Sequence, residues 1–345
     1  MEIYNIIRLY RRIRSPRIKL MGVLLLHVLK RRYVNMFFDP SLSCNLRCRM
    51  CYFSDPEARK DMHGSFTEED IQGIANSLFH RVLRLQIGCG AEPTTFKYLD
   101  EVIKLASERG VPHISVTTNG QLLTLERMKQ LVENGLDELI LSAHGLSEKV
   151  YEDMMPNAKF AQFLQTLENL KTVKAEHPQL KIRLNYTINA DNIQDLALLP
   201  EVFADIKPNV IQLRPIQKIG ESDYNNFSME QILQLYDEYV KPAVQFCAEN
   251  NITCIYPQRE NLMSIGHKNA AANHVNSVIE MLPCFQLSPF NGWKEKLDPY
   301  HETFEDYCRR TNRVKFILHH LFGRVTPENK EKEGTTKALN YQIKR

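Results

Sequence analysis

Three cysteines occupy the run Cys44-Asn45-Leu46-Arg47-Cys48-Arg49-Met50-Cys51 with the spacing C-x-x-x-C-x-x-C. Thiolates this close on one loop can converge on a single metal centre. A cubane iron–sulfur cluster normally takes four cysteines, so a loop supplying three, with no fourth nearby, leaves one iron open to a ligand that is not protein. Two blander readings compete. Structural zinc needs a fourth Cys or His at clustered spacing, and the nearest candidate, His63, lies in a polar segment with no second motif. Cysteines also pack inertly in cores, but Asn45, Arg47 and Arg49 make this loop too polar for a core segment. One cluster held by Cys44, Cys48 and Cys51 is the expectation.

The cysteine loop follows an apolar run, Met36-Phe37-Phe38, and from Val34 onward short apolar runs alternate with helical patterns. That alternation marks βα units and a parallel sheet. Strands are expected near residues 36–38, 84–87, 113–117, 138–141, 181–187 and 210–213. Helices are expected near 97–109, 124–134, 159–176, 192–204 and 228–250. Thr67 and Asp70 form a capping box ahead of a further helix, and the glycines of Arg109-Gly110 and Asn134-Gly135 supply stops. Six units predict an α/β fold, an open (β/α)6 barrel. In parallel barrels chemistry gathers at the C-terminal ends of the strands. The cysteine loop, the segment Gly88 to Pro93, Thr118-Asn119-Gly120 and Ser142-Ala143-His144-Gly145 all fall there, after successive strands.

Each of these segments has an ordinary reading as a turn, since Gly and Asn-Gly are common where the chain bends. Together they carry a resemblance. The run Cys44 to Tyr52 is similar to the signature of the radical S-adenosylmethionine (SAM) superfamily, and the resemblance extends from about Val34 to Gly220. It implies a partial barrel, one [4Fe-4S] cluster on Cys44, Cys48 and Cys51, and SAM chelating the open iron. It further implies reductive cleavage of SAM to a 5′-deoxyadenosyl radical that abstracts a substrate hydrogen, and an external electron donor such as flavodoxin or ferredoxin. Gly90-Ala91-Glu92-Pro93 resembles the family's Gly-Gly-Glu-Pro, which bonds the SAM amino group; Ala91 replaces a glycine and requires a negative φ there. Thr118 and Asn119 match the family's Thr-Asn-Gly. Ser142 matches the serine of Ser-Leu-Asp-Gly and is implied to approach SAM, whereas His144 departs from the usual Asp. A neutral imidazole donates or accepts where a carboxylate only accepts.

On the fifth predicted strand Arg183, Asn185 and Thr187 share one face at period two, and a polar inward face in a barrel points to a ligand. Asn185 resembles a family position near SAM. Arg214, on the sixth, is either a clamp for a carboxylate or phosphate or half of a surface ion pair. His144 and Arg214 are the candidates for catalytic groups. The competing function, from a different class, is an iron–sulfur electron carrier or redox sensor that binds no SAM; Gly90 to Pro93 and Ser142 argue against it.

The chain has 345 residues, 43% of them hydrophobic, enough for one barrel-sized core with appendages. A formal charge of +3 is too small at this length to indicate nucleic acid. Eight cysteines without a secretory pattern point to a reducing compartment. A cytoplasmic protein is expected. Charge concentrates at the N-terminus, where no acidic residue follows Glu2 until Asp39. Ile3, Ile6, Ile7, Tyr10 and Ile13 fall at helical spacing among arginines. Such a basic amphipathic helix can lie in an anionic membrane interface; packing on the barrel or on a second subunit is the favoured expectation. The apolar run Leu20 to Leu29 is too short to span a bilayer. The expected divisions are 1–33, a basic helical segment; 34–256, the barrel; 257–322, a mainly helical extension; and 323–345, a tail without fixed structure. Cys284 and Cys308 lack the multi-cysteine spacing of a second cluster, and none is expected.

Overall fold

The computed structural model describes residues 12–13, 15–217, 222, 224, 227–260, 262, 284–322 and 341–344. Its strands are β1 (Val34–Phe38), β2 (Val82–Ile87), β3 (Ile114–Thr118), β4 (Glu138–Ser142), β5 (Lys181–Ile188), β6 (Val210–Pro215), β7 (Thr253–Pro257), β8 (Cys284–Leu287) and β9 (Tyr341–Lys344). They form one open sheet in the order β8-β1-β2-β3-β4-β5-β6-β7-β9. Every pairing is parallel except β7 with β9. The six expected strands are its centre. Their Val, Ile and Leu side chains are largely buried, and on β2 and β5 they alternate with polar residues, Arg84 and Gln86, Arg183 and Asn185, that share the other face.

The helices begin and end where local chemistry dictates. Helix Glu68–Leu78 opens on a full capping box: Asp70 N–H donates to Thr67 Oγ1 at 3.1 Å and Thr67 N–H to Asp70 Oδ2 at 2.9 Å. It buries Ile71, Ile74, Ala75 and Leu78. Helices Leu99–Glu108 and Leu125–Glu133 stop before Gly110 and Gly135, whose φ of 67° and 109° a side chain would resist.

Several expectations need correction. The sheet is wider than six strands. β8 joins the free edge of β1 in register with Asn35 to Phe38, so the segment after 257 contributes a strand as well as helices. Residues 192–204 are not one helix: a 3-10 stretch, Ile193–Leu198, precedes a four-residue α-turn, Leu199–Val202. Asn192 explains this, because its side-chain amide donates to the carbonyls of Thr187 and His144 and so holds the entry in a loop conformation. The stretch 229–249 is helical but widens to a π-turn at Tyr236–Val240, just before Pro242, which has no N–H to continue the α pattern.

At the N-terminus, helix Pro16–Val28 covers most of the short apolar run and packs against helix Arg313–Phe322. The stripe Ile3 to Tyr10 lies outside the described residues, as do most of residues 258–276 of the expected extension and residues 323–340 of the tail; Tyr341–Lys344 of that tail form β9. No helix among the described residues is long and apolar enough to cross a membrane.

A buried polar network closes the end of the sheet where the strands begin. Glu138, fully buried at the start of β4, takes Arg183 on both carboxylate oxygens at 3.1 Å and His113 at 3.2 Å. Beside it Arg84 donates to Gln86, and Gln86 to Thr117. Arg183 therefore serves the floor of the barrel rather than its mouth.

Candidate active site

At the opposite end, where the strands finish, a cavity of about 280 Å³ opens between the loops after β1 to β6. Cys44, Cys48, Cys51, Gly90, Ala91, Glu92, Thr118, Asn119, Ser142, His144, Asn185 and Arg214 all line it. These residues expected from the sequence are thus brought to one place, whereas Arg183, expected on the same inward face as Asn185, is on the floor.

The cysteine loop is pinned from several sides. Asn119 Nδ2 donates to Asn45 Oδ1 at 2.8 Å, Arg47 Nη1 caps the carbonyls of Cys44 and Leu46, and the backbone N–H groups of Arg47 and Arg49 bond to Pro156 and Met154. Asn189 Nδ2 reaches Met50 Sδ at 3.0 Å. Burial pushes the Cys44 thiol up to about 11 and that of Cys48 well above its ordinary value, each raised further by the neighbouring thiols. A bound metal reverses this, since a coordinating thiol is deprotonated.

The second loop hangs from a carboxylate that the sequence reading missed. Asp39, buried directly after β1, accepts the backbone N–H groups of Cys89 and Gly90 at 2.6 and 2.8 Å. Its position at a strand's C-terminal end was the available signal. Gly88 has φ 80°, and a side chain there would collide with the Thr117 carbonyl; a Cβ on Gly90 would stand 2.6 Å from the Tyr52 hydroxyl, which bonds the Gly90 carbonyl. Ala91 is not among the residues with positive φ, so the methyl group is tolerated.

Glu92 turns inward. Its Oε1 accepts from Thr94 N–H, Thr94 Oγ1 and Thr118 Oγ1 at 3.1, 2.6 and 2.7 Å, and its Oε2 from Asn119 N–H at 2.8 Å. The side chain is therefore a brace between the second and third loops. Burial raises its pKa, and that of Asp39, against the pull of these hydrogen bonds.

On the far wall, Ser142 and Asn185 are paired in register, as are Thr187 and Arg214. His144 Nδ1 accepts the Thr187 N–H at 3.3 Å, which leaves Nε2 to carry the ring proton. Burial, then the Arg214 charge, lowers its pKa to about 4, so the imidazole is neutral at pH 7 and acts as a donor. Arg214 is half-buried and forms no ion pair among the described residues. Among the described residues the buried Asn185 Oδ1 has no hydrogen-bond partner. An orphaned acceptor on a cavity wall is what a bound ligand's donor would satisfy.

Among the described residues no three Cys, His, Asp or Glu side chains converge tightly enough to chelate a lone metal ion. Three thiols standing around a shared cavity instead fit a polynuclear cluster, whose sulfur-bridged irons span more space than one zinc ion. Cys284 and Cys308 are elsewhere: Cys284 pairs with Asn35 at the floor end of β1, and Cys308 is buried in the helix Phe304–Arg310.

A parallel α/β sheet whose strand ends carry a three-cysteine loop beside a ligand-sized cavity is a cluster-bearing partial barrel. The sequence model of the Radical SAM superfamily, whose cofactors are a [4Fe-4S] cluster and SAM, matches residues 39–188, the segment over which this chain is similar to that superfamily. It is 35% identical over 194 residues to the 7,8-dihydro-6-hydroxymethylpterin dimethyltransferase of Methanocaldococcus jannaschii, covering 54% of this chain and 37% of that protein. It is 25% identical over 193 residues to the probable GTP 3′,8-cyclase of Sulfolobus acidocaldarius, covering 55% and 59%. The chain thus spans well under two thirds of these relatives. Among solved structures, Streptococcus suis SuiB bound to S-adenosylmethionine superposes with a TM-score of 0.56 at 14% identity, over 81% of this chain and 68% of that one, a likeness of fold.

Proposed function

We propose that the protein cleaves SAM reductively and uses the resulting radical on a substrate that carries an anionic group. The observation that supports this best is the convergence, on one cavity, of the three cysteines with the unpaired Asn185 acceptor. Cys44, Cys48 and Cys51 would hold the cluster, leaving its fourth iron to SAM. When bound, the reduced cluster would supply the one electron that the SAM sulfonium accepts as its C5′–S bond breaks, the products being methionine and a 5′-deoxyadenosyl radical able to take a hydrogen atom from the substrate. Asp39 and Glu92 keep the second and third loops fixed around the ligand, Ser142 and Asn185 offer it polar contacts, and His144 offers a neutral Nε2–H. Arg214, on the wall beside His144, is the group for a substrate carboxylate or phosphate. A flavodoxin- or ferredoxin-type protein would deliver the electron.

The test is anaerobic reconstitution followed by electron paramagnetic resonance. Saturating SAM should change the reduced cluster's signal, and dithionite should release 5′-deoxyadenosine slowly even without substrate. An unchanged signal with no 5′-deoxyadenosine would mark an electron carrier instead.

A further inference from the structure

We infer that helix Pro16–Val28 is an interfacial anchor, which lays an outward apolar row flat on an anionic lipid bilayer. Ile18, Met21, Leu25, Val28 and the C-cap Leu29 are each more than half exposed. At 100° per residue their spacing confines them to a stripe about 100° wide along one side of the helix. Among the described residues thirteen large hydrophobic side chains are exposed, and nine of them belong to this helix with its cap and to the helix Arg313–Phe322 packed beside it, including Phe322 at 83% exposure. A patch this concentrated is a contact surface rather than scatter.

The row is rigidly presented. The opposite side of the helix buries Lys19 and Val23, His27 Nδ1 meets the Tyr33 hydroxyl at 2.7 Å, and Arg81 Nη2 donates to the His27 carbonyl. Thirteen residues rule out a span of about 20, so the helix can only lie in the plane of a membrane.

Charge selects the occupant. No acidic residue occurs from Ile3 to Phe38, which carries nine Lys and Arg, or from Tyr307 to Pro327, which carries five, although the whole chain nets only +3. Exposed Arg12 and Arg17 stand before or beside the apolar row, and exposed Lys30 and Arg31 follow it. A second copy docked on this face by two-fold symmetry would set basic segment against basic segment. Anionic headgroups complement it. Helix Pro16–Val28 leads into the start of β1, whereas the cysteine loop follows the end of that strand, so the anchor does not occupy the mouth. The inference does not depend on the chemistry proposed there.

The experiment uses the full-length protein and sedimentation with vesicles of phosphatidylcholine, alone or with one quarter phosphatidylglycerol. Binding is expected only to the anionic vesicles, falling at least tenfold between 0.1 and 0.5 M NaCl as the contact is screened. The Met21→Glu, Leu25→Glu double variant should lose binding with an unchanged melting temperature, because both side chains are already in water. Arg17→Glu with Lys30→Glu should weaken it as well. Absence of binding to anionic vesicles, or binding that the double glutamate variant retains, overturns the inference. So does a dimer in analytical ultracentrifugation that those glutamates dissociate, since the row then belongs to a second copy.

Discussion

Glu92 and Glu138 are both buried, at opposite ends of the same barrel, and they are held in opposite ways. Glu138 on the floor faces the Arg183 guanidinium and a hydrogen bond from His113, and these outweigh desolvation and pull its pKa below the ordinary carboxylate range. Glu92 at the mouth meets only neutral donors, so burial prevails and its pKa rises; Asp39 behaves likewise. The floor is a closed, internally neutralised network whose task is to hold strands in register. The mouth carries two buried carboxylates, Asp39 and Glu92, that form no ion pair among the described residues, beside an amide oxygen with no partner among them. It is built to be completed by something bound.

The sharpest way to break this contrast is through the cysteines. Replacing Cys44, Cys48 or Cys51 with Ala should abolish cluster loading, read as iron and sulfide per chain and as loss of the visible absorption. The Cys284→Ala, Cys308→Ala double variant, altering residues away from the mouth, should keep one full cluster, near four irons. Iron close to eight in the unaltered protein, halved in that variant, would reverse the assignment.

Removing each glutamate comes next. Glu138→Ala strands a buried guanidinium and should cost about 3–5 kcal/mol in chemical denaturation. Glu92→Gln places an amide donor against Asn119 N–H or a threonine hydroxyl, for about 1–3 kcal/mol. Its larger effect should be on SAM affinity, because the brace between two cavity loops is lost. Equal stability losses with unchanged SAM binding would show that the two ends do not differ in role.

The acid limb separates them further. Glu138 has a depressed pKa, so its contribution is complete above the unfolded carboxyl's range and vanishes as pH falls through the folded value. Glu92 and Asp39, raised, contribute in the other sense and lose stabilisation as pH rises past the ordinary range. His144 binds its proton at about 4 when folded but near 6.5 when unfolded, so stability drains away as pH falls from about 6.5 towards 4. His144→Gln should flatten the melting temperature over that interval. The smallest expected change is in Arg214→Leu, which removes one of the influences holding His144 down; its imidazole resonance should titrate at higher pH, with the melting temperature scarcely altered.

Much of the mouth was legible because its residues follow strand ends, the cysteine loop coming after the apolar run that stops at Phe38, and Gly88, Thr118 and Ser142 falling where the next three stop. The strand cores announced themselves through local periodicity, and Thr67 and Asp70 announced a helix start. What escaped depends on partners remote in the chain. β8 pairs with β1 across some 250 positions through only four residues, and nothing in Cys284–Leu287 names its neighbour. Glu92 was placed correctly at the cavity, but the inward turn of its carboxylate follows from Thr118 and Asn119 on another loop. Asp39 was overlooked because a lone acid beside Pro40 carries no periodic signal. The outward row of Met21, Leu25 and Val28 was hidden inside the apolar run Leu20 to Leu29, since only the packed structure shows which side is covered.

The cysteine loop is tied at Asn45 to Asn119, at Met50 to Asn189 and at Tyr52 to Gly90, and all three ties are made by protein groups alone. Ties of this kind would order the ligands without help from iron. Oxygen damage that strips the cube would then leave the polypeptide folded and refillable, so that the lifetime of the fold and the lifetime of its inorganic centre would become separate quantities.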